Sequence, residues 1–224
     1  MQNKQNLDIN LGMGDDVICR ATSTKFLGLL IDENLNWKEQ CAAICSKLGN
    51  LCFLIRNIRT VLSDKQVMYV YNAYVGSRLH YGICFWGASS ASTRVFLSQK
   101  RVVRCLLGMD HRDSCRGKFR QLNILTVTGV FLYEICKYIF QSWERFPSNT
   151  DFHEHYTRKK DDFHTVKCRL NISKHSPHHL GLSLFNKLPC SLRSLNNFKS
   201  FKRQLKCFLV QNEFYSLNEY NNQF

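Results

Sequence analysis

The apolar positions between Trp37 and Ile58 constrain this chain most. Trp37, Cys41, Ile44, Cys45, Leu48, Leu51, Cys52, Ile55 and Ile58 recur at the three- and four-residue spacing of one helix face. A stripe of that length predicts an amphipathic helix from about Asn36 to Arg59, which must bury its apolar face against a partner. Asn36 and Glu39 have capping-box spacing at its start. Ser63 and Gln66 repeat that spacing ahead of Val67, Val70, Tyr71, Tyr74, Val75 and Leu79, so a second helix is predicted to pack back through the short "TVLS" turn. "HYGICFWGASSAST" reads as a connection punctuated by Gly and Ser. A third helix is predicted from about Thr93 to Leu107, ended by Gly108, with Lys100, Arg101 and Arg104 on its exposed face.

The segment before these helices has a different period. Leu7, Ile9, Leu11 and Met13 alternate with polar residues, Gly14-Asp15-Asp16 interrupts, and "VICRAT" follows, a pattern of strand, tight turn and strand. Phe26, Leu27, Leu29, Leu30 and Ile31 predict a third, mostly buried strand that ends at "DENLN". Downstream, a turn around Thr126 to Gly129 precedes an apolar helix from about Val130 to Phe146, and Pro147 marks a boundary. A short helix then meets Pro189, and a last amphipathic helix begins near Asn197 with Phe198, Phe201, Leu205, Phe208 and Leu209 as its stripe. The expected class is mainly α with a small antiparallel β element. Three segments follow: a β-hairpin and strand over 1–33, a three-helix bundle over 34–109, and a basic helical region over 110–224.

With 224 residues, 44% of them apolar, the chain can bury a substantial core. Its first ten residues lack the basic start and apolar run of a signal peptide, and Arg78 and His80 break its longest apolar stretch. Neither export nor a membrane span is expected, which suggests a cytoplasmic or nuclear location. The eleven cysteines are scattered through apolar patterns and read as reduced, buried thiols. Lys and Arg number 31 against 17 Asp and Glu, a formal charge of +14 that suits a phosphate backbone or an acidic protein surface. From Arg158 to Lys206 there are twelve basic residues against two acidic ones. Arg158, Lys159 and Lys160 open that run.

Each candidate chemistry has a plainer reading beside it. Gly14-Asp15-Asp16 resembles a polymerase metal-binding turn, but two-metal phosphoryl transfer needs carboxylates converging from separate elements. Asp8, the sole upstream partner, lies on the same hairpin, so a solvated turn is expected. Zinc lacks a Cys-x-x-Cys pair: Cys41 and Cys45 fall on an inward helix face, and His175, His178 and His179 have no thiols nearby. Cys115 lies among Arg112, Arg116 and Lys118, which would lower its thiol pKa, yet no partner histidine can be named. The basic helix faces are more promising, because Lys47, Arg56 and Arg59 on the first helix and Lys100, Arg101 and Arg104 on the third could lie along a phosphate backbone. A solvated face is the alternative.

"KFLGLLIDENLNW", the two amphipathic helices after it, "QKRVVRCLLG", "RQLNILTVTGVFLYEICKYI", "TRKKDDFH", "LGLSLFNKLPCSLRSL", "FKRQLKCFL" and "FYSLNEY" occur in an order and spacing that resemble reverse transcriptases of jockey-like non-LTR retrotransposons, in the region just after the catalytic carboxylates. The resemblance spans roughly Lys25 to Tyr220. It implies that Phe26-Leu27-Gly28 is the turn closing the palm near the primer end, with Lys25 beside it. It also implies that the helices from about Asn36 to Leu107 are a thumb packed on template-primer duplex. The family's aromatic-Ala-Asp-Asp strand, fingers and endonuclease fall upstream of these residues. This chain is therefore expected to bind RNA and DNA as a truncated C-terminal part, without catalysis, a cofactor or a membrane of its own. Mg²⁺ and the missing polymerase domains belong to the parent polyprotein. Two departures are visible: Gln40 stands where the family often has histidine, and Gly129 falls where a helix start is usual, which would loosen that helix. A minimal nucleotidyl transferase, a helical protein-interaction module and a decayed element without a selected role are the alternatives.

Overall fold

A computed structural model of the chain describes residues 11–13, 16–18, 20–151, 160 and 162–223. Two separate antiparallel hairpins come first. Strand β1 (Leu11–Met13) pairs with β2 (Asp16–Ile18), Met13 opposite Asp16, and β3 (Ser23–Phe26) pairs with β4 (Leu29–Asp32), Phe26 opposite Leu29. The single strand expected over Phe26 to Ile31 is thus a hairpin whose turn is Leu27-Gly28. Both turn residues have positive φ, 46° and 80°, the backbone that a two-residue turn between right-twisted strands requires. Its tip is not buried: Phe26 is 61% exposed and Leu27 74%, and only Leu29 reaches the core.

The helices follow in chain order: α1 (Lys38–Ile58), α2 (Asp64–Val70), a π-helical segment (Tyr71–Gly76), α3 (Ser77–His80), α4 (Ile83–Trp86), α5 (Ser92–Leu107), α6 (Lys118–Gln121), α7 (Val127–Gln141), α8 (Asn171–Lys174), α9 (Pro177–Phe185), α10 (Cys190–Arg193), α11 (Phe198–Asn212) and α12 (Leu217–Gln223). The protein is mainly α with a small antiparallel β element. The Ser63–Gln66 capping box forms as its spacing predicts. The Asn36–Glu39 box does not. Asp32 instead accepts hydrogen bonds from the backbone N–H groups of Asn34, Asn36 and Trp37, at 3.1, 3.0 and 2.8 Å, and α1 starts after Trp37 in a left-handed conformation. Within the expected connection after α3, Ile83 and Trp86 are fully buried and coil into α4.

Burial explains the order of packing. One hydrophobic core runs from Cys41 on α1 to Tyr220 on α12, with α5 and α7 at its centre. Helix α7 begins at Val127, three residues before its expected start. Thr126 Oγ1 accepts from the Gly129 N–H at 2.9 Å while donating to the Phe214 carbonyl at 2.6 Å, so the cap also ties α7 to the end of α11. A Cβ on Gly129 would stand 3.2 Å from that hydroxyl, so glycine leaves the cap room. Gln99, fully buried on α5, donates to Tyr71 Oη and the Leu125 carbonyl and accepts from the Val127 N–H, joining three segments through one amide. Gln40 accepts from the Leu30 N–H at 3.0 Å and fixes the second hairpin on α1. By length and composition α1 also passes for a bilayer-crossing helix, a test that core helices meet as well, and its Cys41–Ile55 stripe is buried here.

Candidate nucleic-acid interface

Helices α1 and α5 bring their C-terminal ends together. Between them opens a cleft of about 920 Å³, lined by Arg56 and Arg59 from the end of α1, Arg101 and Arg104 from the end of α5, and His111 at the rim; Gly49, Cys52, Cys105, Gly108 and Met109 are among its other lining residues. Among the described residues no carboxylate lines it. Four of the arginines read from sequence as phosphate contacts therefore converge on one space. Two are positioned by backbone. Arg104 Nε donates to the Asp113 carbonyl at 2.9 Å, and the Arg59 guanidinium lies so close to Gly108 that a Cβ there would come within 2.1 Å of its nitrogen. Gly108, at φ 63°, both ends α5 and admits that arginine.

Part of this charge answers the fold itself. A helix C-terminus presents unpaired carbonyls and the negative end of its dipole, and cations there are stabilising by about 0.3–1 kcal/mol each. Two such ends meet at this cleft. Yet among the described residues Arg56, Arg59 and Arg101 have no ion-pair partner, although five ion pairs form elsewhere. The cleft stays cationic after the helix ends are satisfied. Burial, opposed by the nearby Arg56 and Arg101, pushes the Cys52 thiol up to about 11, so it adds no negative charge.

The other expected contacts are elsewhere. Lys47 is nine residues before Arg56, which at 3.6 residues per turn puts the two about half a circle apart on α1. It lines a separate groove of about 400 Å³ with Lys25, Gly28, Arg78 and Tyr81. There the Tyr81 hydroxyl donates to the Leu27 carbonyl at the hairpin turn, leaving the Phe26 and Leu27 side chains in solvent. Lys100 does not face the cleft but lies 4.8 Å over the Phe96 ring and 5.6 Å from that of Tyr215. Lys160 is half-buried, and Arg158 and Lys159 fall outside the described residues. His111 and Arg78 were missed by sequence reading. Arg78 had only counted as a break in an apolar run, and the π-helical segment before it shifts the helical phase that would have assigned its face.

The catalytic alternatives gain nothing. Asp8, Gly14 and Asp15 lie outside the described residues, and Asp16 pairs with Met13 in the first hairpin. Among the described residues no three His, Cys, Asp or Glu side chains converge to hold a metal ion, so no step through Mg²⁺ is assigned to this chain. Cys115 corrects its expected direction: burial pushes the thiol up, outweighing Arg104 and Lys100. Every described cysteine is unpaired with another, and Cys41 and Cys84 are likewise pushed up to about 11 by burial. Compared with known proteins, the chain matches no family model, no curated protein and no solved structure.

Proposed function

We propose that this chain is the thumb and downstream part of a non-LTR retrotransposon reverse transcriptase, and that it holds template-primer nucleic acid through phosphate contacts without performing polymerisation by itself. The observation that carries this reading is the carboxylate-free cleft of Arg56, Arg59, Arg101 and Arg104. Guanidinium forks match phosphate oxygens in bidentate geometry, and a cluster without acidic partners is available to an external anion. The ordered resemblance from Lys25 to Tyr220 supports the same reading, as does the overall charge of +14.

Fluorescence anisotropy with an RNA–DNA hybrid, titrated across salt concentrations, tests it. Affinity is expected to fall steeply with salt, and each arginine removed from the cleft should flatten the log–log slope by up to about 0.9. An affinity insensitive to salt, or a slope unchanged by all four Arg→Ala substitutions, would remove the cleft from the interface. A protein-interaction module is the second reading. It is favoured by a groove of about 690 Å³ that includes Leu35, Trp37, Phe85, Ala88 and Pro177, with Phe85 52% exposed and Leu35 42%. Absence of any hybrid binding would favour that second reading.

A further inference from the structure

We propose that the arginine cleft is a site for a compact triphosphate group, as carried by the 5′ end of an RNA strand. This deepens the nucleic-acid reading and rests on it. The same chemistry is presented by a free nucleoside triphosphate, and the experiment below separates the two sources.

Shape is the first ground. A duplex backbone is a convex ridge with one phosphate per about 3.4 Å of helix axis on each strand, so a cluster of cations around one space meets only one or two of its phosphates. Here the four arginines line a single open, concave space of about 920 Å³ between two helix ends, a volume within the roughly 300–1,000 Å³ of small-ligand clefts. Lys47, which would extend a track along α1, is on its other side in a groove with Lys25. The cluster can take a duplex phosphate at its mouth, and its concave shape suits several linked phosphates better still.

Preorganisation is the second. The hydrogen bond from Arg104 Nε to the Asp113 carbonyl orients one guanidinium plane, and the Arg59 guanidinium lies against Gly108. Arg104 keeps its two terminal nitrogens for a ligand. Arg56 and Arg101 line the same space from the neighbouring turns. Like charges around one space repel one another, and the helix-terminal carbonyls offset only part of that repulsion. A ligand with several linked phosphates relieves the remainder at one stroke, whereas a single phosphate engages only one or two forks.

The test uses the full chain and inorganic tripolyphosphate as probe, with orthophosphate for comparison, in isothermal titration. Tripolyphosphate is expected to bind at least about tenfold tighter than orthophosphate, because it engages additional charge-assisted hydrogen bonds. Arg56→Ala with Arg101→Ala should abolish that preference, and Arg56→Lys with Arg101→Lys should weaken it while preserving charge and fold. The exposed α11 pair Lys199→Ala with Arg203→Ala, matched in charge, should leave it intact. Equal losses from both alanine pairs, or no preference over orthophosphate, would overturn the proposal. Source is read by comparing single-stranded RNA bearing a 5′ triphosphate with the same strand bearing a 5′ hydroxyl. Tighter binding of the triphosphate strand supports the RNA-end assignment. Specific tripolyphosphate binding with no RNA discrimination overturns that assignment in favour of a free triphosphate. Salt-sensitive hybrid binding that persists without any triphosphate preference defeats this inference alone and leaves the duplex reading standing.

Discussion

Two arginine-centred clusters in this molecule have opposite fates. Around Arg116 the cation is surrounded by partners: its guanidinium meets Glu219 at 2.8 Å, donates to the Glu213 carbonyl at 3.3 Å, and stacks 3.8 Å over the Tyr215 ring. The Glu213 carboxylate, 5% exposed, accepts from the backbone N–H groups of Gly117 and Arg120 at the start of α6. All this joins the α6 region to the end of α11. At the α1–α5 cleft the same residue type meets no carboxylate among the described residues, and Arg104 rests on a backbone carbonyl and Arg59 on Gly108. The difference teaches that a basic residue reveals its role through its partners. Where acids meet arginine the cluster holds the fold together, and where they are withheld it is left open to an outside anion.

The comparison is broken most severely by Glu213→Ala. That change takes the charged acceptor from the part-buried N–H groups of Gly117 and Arg120, and should cost about 3 kcal/mol in urea unfolding. Retained stability would mean that the Arg116 cluster is not structural. Gln99→Leu strands the Val127 N–H, the Leu125 carbonyl and Tyr71 Oη, and should cost about 2 kcal/mol by the same measurement. Acid sharpens the contrast further. Hydrogen bonding from Arg116, against the opposing effect of burial, holds the Glu219 carboxyl below its ordinary 4.5. Burial raises Asp32, but the backbone N–H groups of Asn36, Trp37 and Asn34 outweigh it and hold that group below 3.8. Both depressed groups stabilise the fold above those ordinary values, and that contribution is lost as pH falls through the folded-state values. Thermal melts should therefore decline below about pH 4.5, and less steeply in Glu219→Gln and Asp32→Asn. The smallest stability effect belongs to the cleft: Arg56→Ala with Arg101→Ala should change unfolding free energy by no more than about 0.5 kcal/mol, as for exposed residues away from a network. A loss of several kcal/mol would make these arginines structural as well.

Elements with local signals were legible in the sequence. The Ser63–Gln66 box, the Gly108 terminator and the helix start near Asn197 all form where the sequence places them. The Asn36–Glu39 box failed because Asp32, a few residues upstream, competed for the same turn. Leu27-Gly28 was read both as part of a strand and, by resemblance, as a turn; the positive φ of both residues settles it as a turn. The cleft was half legible. Arg56 and Arg59, and likewise Arg101 and Arg104, share a helix face by spacing alone, but their convergence depends on α1 and α5 meeting at their C-terminal ends, a tertiary fact no local period encodes. Lys47 shares a helix with Arg56 but faces the other side.

Hydrogen–deuterium exchange of the chain with and without an RNA–DNA hybrid is the most direct test of the central claim, that the unpaired arginines form the phosphate-binding surface. Protection on binding is expected over residues 49–60 and 101–111, the segments that line the cleft. Protection confined to the exposed basic face of α11, around Lys199, Arg203 and Lys206, with the cleft segments unchanged, would contradict it.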